Sequence, residues 1–364
     1  MSEFLPASLL PRIAFDLGVS DGVAGQMVTM TALAAALSAL LISVVLPRAD
    51  RRRVMIGLMA LTVVSDLAVA LAPNLVVLLG GRLLLGVALG GFWAMATAMA
   101  AHLVRADHLG RALTIVNAGV SAATIVAVPL GAWLGEVWGW RSLFLVGAGV
   151  AVLALLAQAV TLPRVSAPGG SGLRALGSTL RSPIVIVGLV AVLLVFGGHF
   201  GGYTYIRPAA ESAASVDAGT FALLLLAFGL ANFLGTAISG PLLDRALRAG
   251  VLLFPAVAGV GMLVMLISLV TGGSIVGLFV AVALWGFGFG GVPTSVLTWG
   301  ARVEPTRLEQ IGGLIVTVCN VAVAVGAVAG GLLVDGVSLS APLFAGGIAA
   351  IAGGVIIAIL PHRR

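Results

Sequence analysis

Lysine is absent from all 364 residues, and charged side chains of every kind make up only 9% of them. Soluble domains carry about 25% charged residues, because a charged surface holds them in water. That scarcity excludes a water-covered globular domain, and a mean hydropathy of +1.20 agrees. A lone cysteine, Cys319, excludes a disulfide framework. His102, His108, His199 and His362 are scattered at no metal-ligand spacing, so no metal site is expected. There is no Walker sequence to bind ATP. Gly286-x-Gly288-x-Gly290 lacks the preceding strand that a dinucleotide loop requires. No nucleophile stands beside a base, so an enzyme is not expected, nor any cofactor. Glu3 follows the first residue almost at once, which excludes a basic n-region and with it a cleavable signal of the usual form.

What the chain has instead is apolar length, 60% hydrophobic residues gathered into long runs. Spans are expected near 22–46, 54–72, 75–101, 112–135, 142–162, 183–206, 219–240, 250–270, 275–299, 311–334 and 342–360. Each is long enough for a bilayer core, which takes about 20 residues of helix. Helix is the expected form, because hydrocarbon offers backbone groups no water and a helix pairs them internally. A barrel would show short alternating segments, which do not occur.

A net charge of +6 invites a nucleic-acid reading, but the arginines follow the loops. One alternate set of loops holds Arg48, Arg51, Arg52, Arg53, Arg105, Arg111, Arg164, Arg174, Arg181, Arg245, Arg248, Arg302, Arg307, Arg363 and Arg364. The other set holds only Arg12, Arg141 and Arg207. Retention of positive loops inside the cell makes the first set cytoplasmic, together with the C-terminus. The expected partners are therefore the lipid bilayer, a small solute and protons, not nucleic acid. The expected location is the bacterial inner membrane, and the chain is taken as a monomer.

With residues 16–21 outside, the fifteen residues before them cover about 22 Å of helix, short of a core about 30 Å thick. The expectation is a first helix cut short, with eleven complete spans beside it.

The segment 166–182, rich in Gly, Ser and Arg, reads as a cytoplasmic linker between residues 1–165 and 183–364. Its stretch from Leu173 to Arg181 has the look of a short basic amphipathic helix on anionic lipid. The flanking parts repeat one another. Leu85-Gly86-x3-Gly90-Gly91 returns as Trp285-Gly286-x3-Gly290-Gly291, and Gly131–Glu136 returns as Gly330–Asp335. Two parallel six-helix halves with a solute site at their interface form a known transporter architecture. The expected fold class is thus an all-α membrane protein.

Loop residues then carry a family resemblance. Asp50-Arg51-Arg52-Arg53, and Gly240-x3-Asp244-Arg245-x2-Arg248, resemble the G-x3-D-R-x2-R signature of the major facilitator superfamily. The first copy has Leu46 at the glycine position. Arg82-x3-Gly86 is similar to the fourth-helix motif of that family, and Val128-Pro129-Leu130-Gly131 resembles the fifth-helix motif of its proton-driven antiporters, with Val for the usual Gly. Across EFLPASLL (3–10), DLGVSDGVAGQ (16–26), LGVALGGFWAM (85–95), PLGAWLGEVWGWR (129–141) and YTYIRP (203–208) the chain resembles the purine ribonucleoside exporters of the drug:proton antiporter branch. EFLP with YIRP is shared by sugar and drug exporters, which stay open as alternatives. The resemblance implies export of a small solute against inward proton flow, with gating by Asp50, Arg51, Gly240, Asp244 and Arg245. A non-transporting membrane protein with a shortened first helix is the reading from another class.

Four ionisable groups lie within spans: Glu3, Asp66, Arg82 and His199. A charge at helix centre costs about 2.5–3.5 kcal/mol, so its presence points to a role. Glu3, Asp66 and Arg82 are the candidates for proton coupling, with a structural ion pair as the competing reading of the last two. For the solute, a purine needs flat rings to stack on and amide or imidazole groups for its edge. The candidates are Phe92, Trp93, Asn117, His199, Tyr203, Asn232, Trp285 and Asn320, with Phe289 and Trp299 on the same helices. Packing between helices competes at each.

Overall fold

The computed structural model describes residues 12–19, 21–120, 123, 138–165, 173–211, 216–272 and 274–361. They are helical almost throughout. Residues 12–17 form a short stretch ahead of α1 (Asp21–Val45), α2 (Arg51–Ala70) and α3 (Leu75–Leu103). A 3-10 turn at Ala106–His108 leads into α4 (Leu109–Val120). Then come α5 (Trp140–Thr161), α6 (Leu173–Leu180), α7 (Pro183–Thr204), α8 (Ile206–Glu211) and α9 (Ala218–Arg245). The series ends with α10 (Leu247–Val270), α11 (Ile275–Val303), α12 (Leu308–Gly336) and α13 (Ala341–Ile359).

Among the described residues nine helices are long and apolar enough to cross a membrane: α2, α3, α5, α7 and α9 to α13. The apolar part of α1, Thr29–Val45, and α4 are shorter. The expected spans therefore coincide with helices, except that 112–135 is described only to Val120 and at residue 123. Glu3, Val128–Gly131 and the repeat segment Gly131–Glu136 lie outside the described residues.

Local chemistry sets the helix starts. Asp50 caps α2 by accepting from Arg52 N at 2.9 Å, and Asp217 caps α9 by accepting from Thr220 N at 2.8 Å. Such oxygens satisfy backbone donors that a first turn leaves unpaired. Pro183 opens α7, where its fixed φ fits and its missing N–H costs nothing.

Two compact units result. The first comprises residues 1–102, 122–177 and 312–317; the second comprises 103–121, 178–311 and 318–364. Within the first, α3 is wedged against α1 and α2. A side chain on Gly86 or Gly90 would collide with the carbonyl oxygens of Thr31 and Ala35, and one on Gly91 with Leu58. In the second, α11 is wedged between α9 and α10. A side chain on Gly286 or Gly290 would collide with the carbonyl oxygens of Phe228 and Asn232, and one on Gly288 with Ala258. The glycines recur 200 residues on, and the carbonyls they face recur 197 residues on (31 to 228, 35 to 232). The repeat read in the sequence is thus a repeated helix crossing, in which small residues let backbones approach closely.

Candidate functional site

The second unit gathers aromatic rings from three helices. Along α7, Phe196, His199, Phe200 and Tyr203 share one face by their three- and four-residue spacing. Phe228 from α9, and Trp285 and Phe289 from α11, close around them. Gly202 makes room on α7, since a Cβ there would meet the Trp285 ring at 3.2 Å. His199 stacks on Phe289 with ring centres 3.3 Å apart and planes within 3°. Tyr203 stacks on it at 5.4 Å and 17°. Phe200 meets it edge-on at 4.8 Å, and Phe196 meets Phe289 edge-on at 5.6 Å. The indole Nε1–H of Trp285 donates to His199 Nδ1 at 2.9 Å. His199 and Trp285 are buried, whereas Phe200, Tyr203 and Phe289 are half-buried.

His199, Tyr203 and Trp285 are therefore brought together, and sequence reasoning missed only Phe228. No pattern in the sequence set Phe228 apart from the other apolar residues of α9. Two of the other solute candidates lie in the first unit. Phe92 and Trp93 pack perpendicular at 5.6 Å in the first unit, beside a core of Ala39, Leu58, Met95 and Met99. Asn117 is buried and its amide donates to Leu113 O of its own helix at 2.9 Å. Asn232 on α9 and Asn320 on α12 are half-buried. Trp299 is fully buried against Gly188.

Asp66 and Arg82 are both fully buried in the first unit. Ser65 Oγ donates to Gly81 O at 2.7 Å, which sets the two ionisable residues at one level on adjoining helices. Arg82 Nε donates to Met27 O at 3.4 Å, and Thr31 Oγ1 donates to Arg82 O at 3.3 Å, so α1 also closes on this level.

The two signature loops differ in what they hold. Asp244, its side chain 3% exposed, accepts from Gly110 N at 2.7 Å and Arg111 N at 3.3 Å, with Arg111 Nε 3.6 Å away. A carboxylate there caps the start of α4 and meets its positive dipole end. Thr114 Oγ1 and Ser239 Oγ lie 3.1 Å apart one turn further on. Gly240 has no room for a Cβ, which would meet Thr114 Oγ1 at 2.5 Å and Gly110 O at 2.8 Å. Arg245 is exposed. In the first loop Arg51 turns inward, fully buried, and donates to Leu46 O at 2.6 Å. Arg51 N donates to Val165 O at 2.9 Å, tying this loop to the end of α5. Leu46 is 37% exposed, so among the described residues no crossing helix demands glycine at that position.

The sequence profile of the Major Facilitator Superfamily matches residues 1–322. The chain belongs to the major facilitator superfamily. Members are secondary transporters, multi-pass membrane proteins that bind a small-molecule substrate, and not enzymes. The chain is 37% identical over 358 residues to the purine ribonucleoside efflux pump NepI of Salmonella paratyphi C, covering 98% of this chain and 87% of that protein. It is 41% identical over 351 residues to the transcription regulatory protein OpdE of Pseudomonas aeruginosa, covering 94% and 86%. Among solved structures, the proton:xylose symporter XylE superposes with a TM-score of 0.77 at 14% identity, covering 99% of this chain and 92% of XylE. The transporter FucP superposes with 0.79 at 14% identity, covering 98% and 94%. At such identities the likeness shows the fold, an all-helical major facilitator fold.

One further cluster in this facilitator chain escaped sequence reading. Asp16 pairs with Arg141, accepts from Trp140 Nε1 at 3.1 Å, and thereby joins Arg141, whose guanidinium also donates to Ala72 O at 3.2 Å. Arg141 stacks 4.3 Å over the Trp140 ring. The hydrogen bonds from Arg141 and Trp140 hold the Asp16 carboxyl below its ordinary range. Arg12, Phe15 and Trp138 complete a recess of about 490 Å³ beside it. The partners stand 124 and 125 residues apart in sequence and follow no periodicity. The only signal was that a charge of each sign occurs beside loops otherwise poor in charge.

Proposed function

We propose that this chain is a proton-coupled antiporter that exports purine ribonucleosides. The observation that carries the reading is the ring cluster about His199, where half-buried Phe200, Tyr203 and Phe289 surround one imidazole. A purine is a flat ring with acceptors along its edge, and stacking on such faces is worth about 1–3 kcal/mol per base. Relatives at 37% identity carry the name of purine ribonucleoside efflux pumps, which supports the same substrate class.

In this reading Glu3, Asp66 and Arg82 serve proton coupling, while Asn232 and Asn320 are further solute contacts. Loading and loss of a proton shift the balance between two facing states, which a group can do only by binding them unequally. Asp50 with Arg51, and Gly240 with Asp244 and Arg245, act as gates between those states. The parts that move are residues 1–165 and 183–364. The arginine-rich loops and the C-terminus face the cytoplasm, the membrane is the bacterial inner membrane, and the chain works as a monomer.

Efflux of radiolabelled inosine from loaded cells, with and without the protein, tests the reading. Faster loss of label with the protein is expected. Unchanged retention, with faster loss of a labelled sugar or a drug, would transfer the chain to the sugar or drug exporters. Unchanged retention of all three would favour a non-transporting protein.

A further inference from the structure

The His199 cluster also fixes where a proton sits. An indole nitrogen donates a hydrogen bond and never accepts one. The 2.9 Å bond from Trp285 Nε1 to His199 Nδ1 therefore needs the Nδ1 lone pair. A neutral imidazole has one N–H, so its hydrogen lies on Nε2, and a doubly protonated ring would put two donors face to face. Aromatic rings flank the imidazole. Phe289 covers one face at 3.3 Å, Tyr203 stacks at 5.4 Å, and Phe200 and Phe228 approach at 4.8 and 6.3 Å. Tyr203 is the one titratable side chain among these neighbours; α9 contributes Phe228 and α11 contributes Trp285 and Phe289, none of them charged.

We infer that Trp285 is a positioning residue which locks His199 in the neutral Nε2–H form, so that His199 meets the solute as a hydrogen-bond donor and does not carry the coupling proton. The substrate edge opposite it must then offer an acceptor, such as a ring nitrogen or carbonyl of a purine. That choice of ligand rests on the nucleoside reading; the lock itself does not. It also separates two duties. The edge of the solute is read in the second unit, and protons are handled by other groups.

Nitrogen NMR of histidine-labelled protein in nanodiscs tests the lock, with the His199 signal assigned by its disappearance in His199→Gln. A protonated Nε2 and an unprotonated Nδ1 are expected, unchanged between about pH 8 and pH 5.5. Trp285→Phe keeps an aromatic ring without the donor and should give mixed tautomers. A wild-type ring protonated at Nδ1, or on both nitrogens, would overturn the inference. Binding supplies the second arm, with inosine as probe. His199→Phe should weaken affinity about tenfold, the weight of one hydrogen bond. His199→Gln should restore it to within about threefold, because the amide accepts from Trp285 and still donates to the solute. Restored binding without proton-driven transport would make His199 a proton carrier and overturn the inference. Failure of the wild type to bind inosine would instead defeat the nucleoside reading, leaving the NMR result to decide the lock.

Discussion

Asp244 is placed by three donors of one neighbouring helix start, two backbone N–H groups and the Arg111 side chain. Asp244→Asn keeps the shape and removes the charge, so about 0.3–1 kcal/mol of dipole interaction should be lost. The expected outcome is a change in solute transport rate of a few-fold with affinity for inosine little altered. An unchanged rate would remove this carboxylate from gating. In the proposed mechanism Arg82 serves coupling instead. Arg82→Ala should reduce proton-linked export at least tenfold, about 1.4 kcal/mol in the barrier, while folded protein still reaches the membrane. Full proton-linked activity would exclude it.

Asp16 gives a pH dependence of known sign. Its folded carboxyl is held below the ordinary value by the bonds from Arg141 and Trp140, so the contribution exists above the unfolded value near 3.8. It is lost as pH falls through the lowered folded value. Both partners are partly exposed, which keeps the expected loss in Arg141→Ala small, about 0.2–1 kcal/mol. Thermal melting should therefore show wild type and Arg141→Ala converging below about pH 4, and a gap that widens under acid would contradict the assignment.

At the scale of helices, the glycine crossings explain what was legible. Gly86, Gly90, Gly286 and Gly290 are visible in sequence as a repeat, and each is required because a carbonyl of the neighbouring helix occupies its Cβ space. Which neighbour it is could not be read, since Thr31 and Phe228 share no chemistry beyond their backbone oxygen. His199 and Tyr203 of α7 were legible as candidates, and Phe196 and Phe200 share their face by the same helical period. Its partners Phe228, Trp285 and Phe289 arrive from other helices, so only packing could select them. Residue-level departures were equally instructive: Leu46 breaks the loop signature at an exposed position, while Gly240 keeps it where Gly110 and Thr114 press against it. Gly290→Leu should destabilise the second unit by about 1–3 kcal/mol or more through overpacking. A melting temperature equal to wild type would show that α9 and α11 can separate at no cost.

For the molecule as a whole, scarcity of charge was the most informative property. Nineteen arginines among so few charged groups had to mark loops or carry function, and Arg82 is the one that falls inside a span expected from the sequence. The major facilitator fold follows from helix number, repeat and loop signature together. The solute does not, because its recognition depends on a few rings whose identity any packed core could share. In the proposed mechanism purine ribonucleosides are exchanged for protons. Purified protein in proteoliposomes with an imposed pH gradient measures this most directly. Inosine should accumulate on the side from which protons are drawn, and a protonophore should abolish the accumulation. Inosine movement that ignores the gradient, or none while another solute responds to it, would contradict the account.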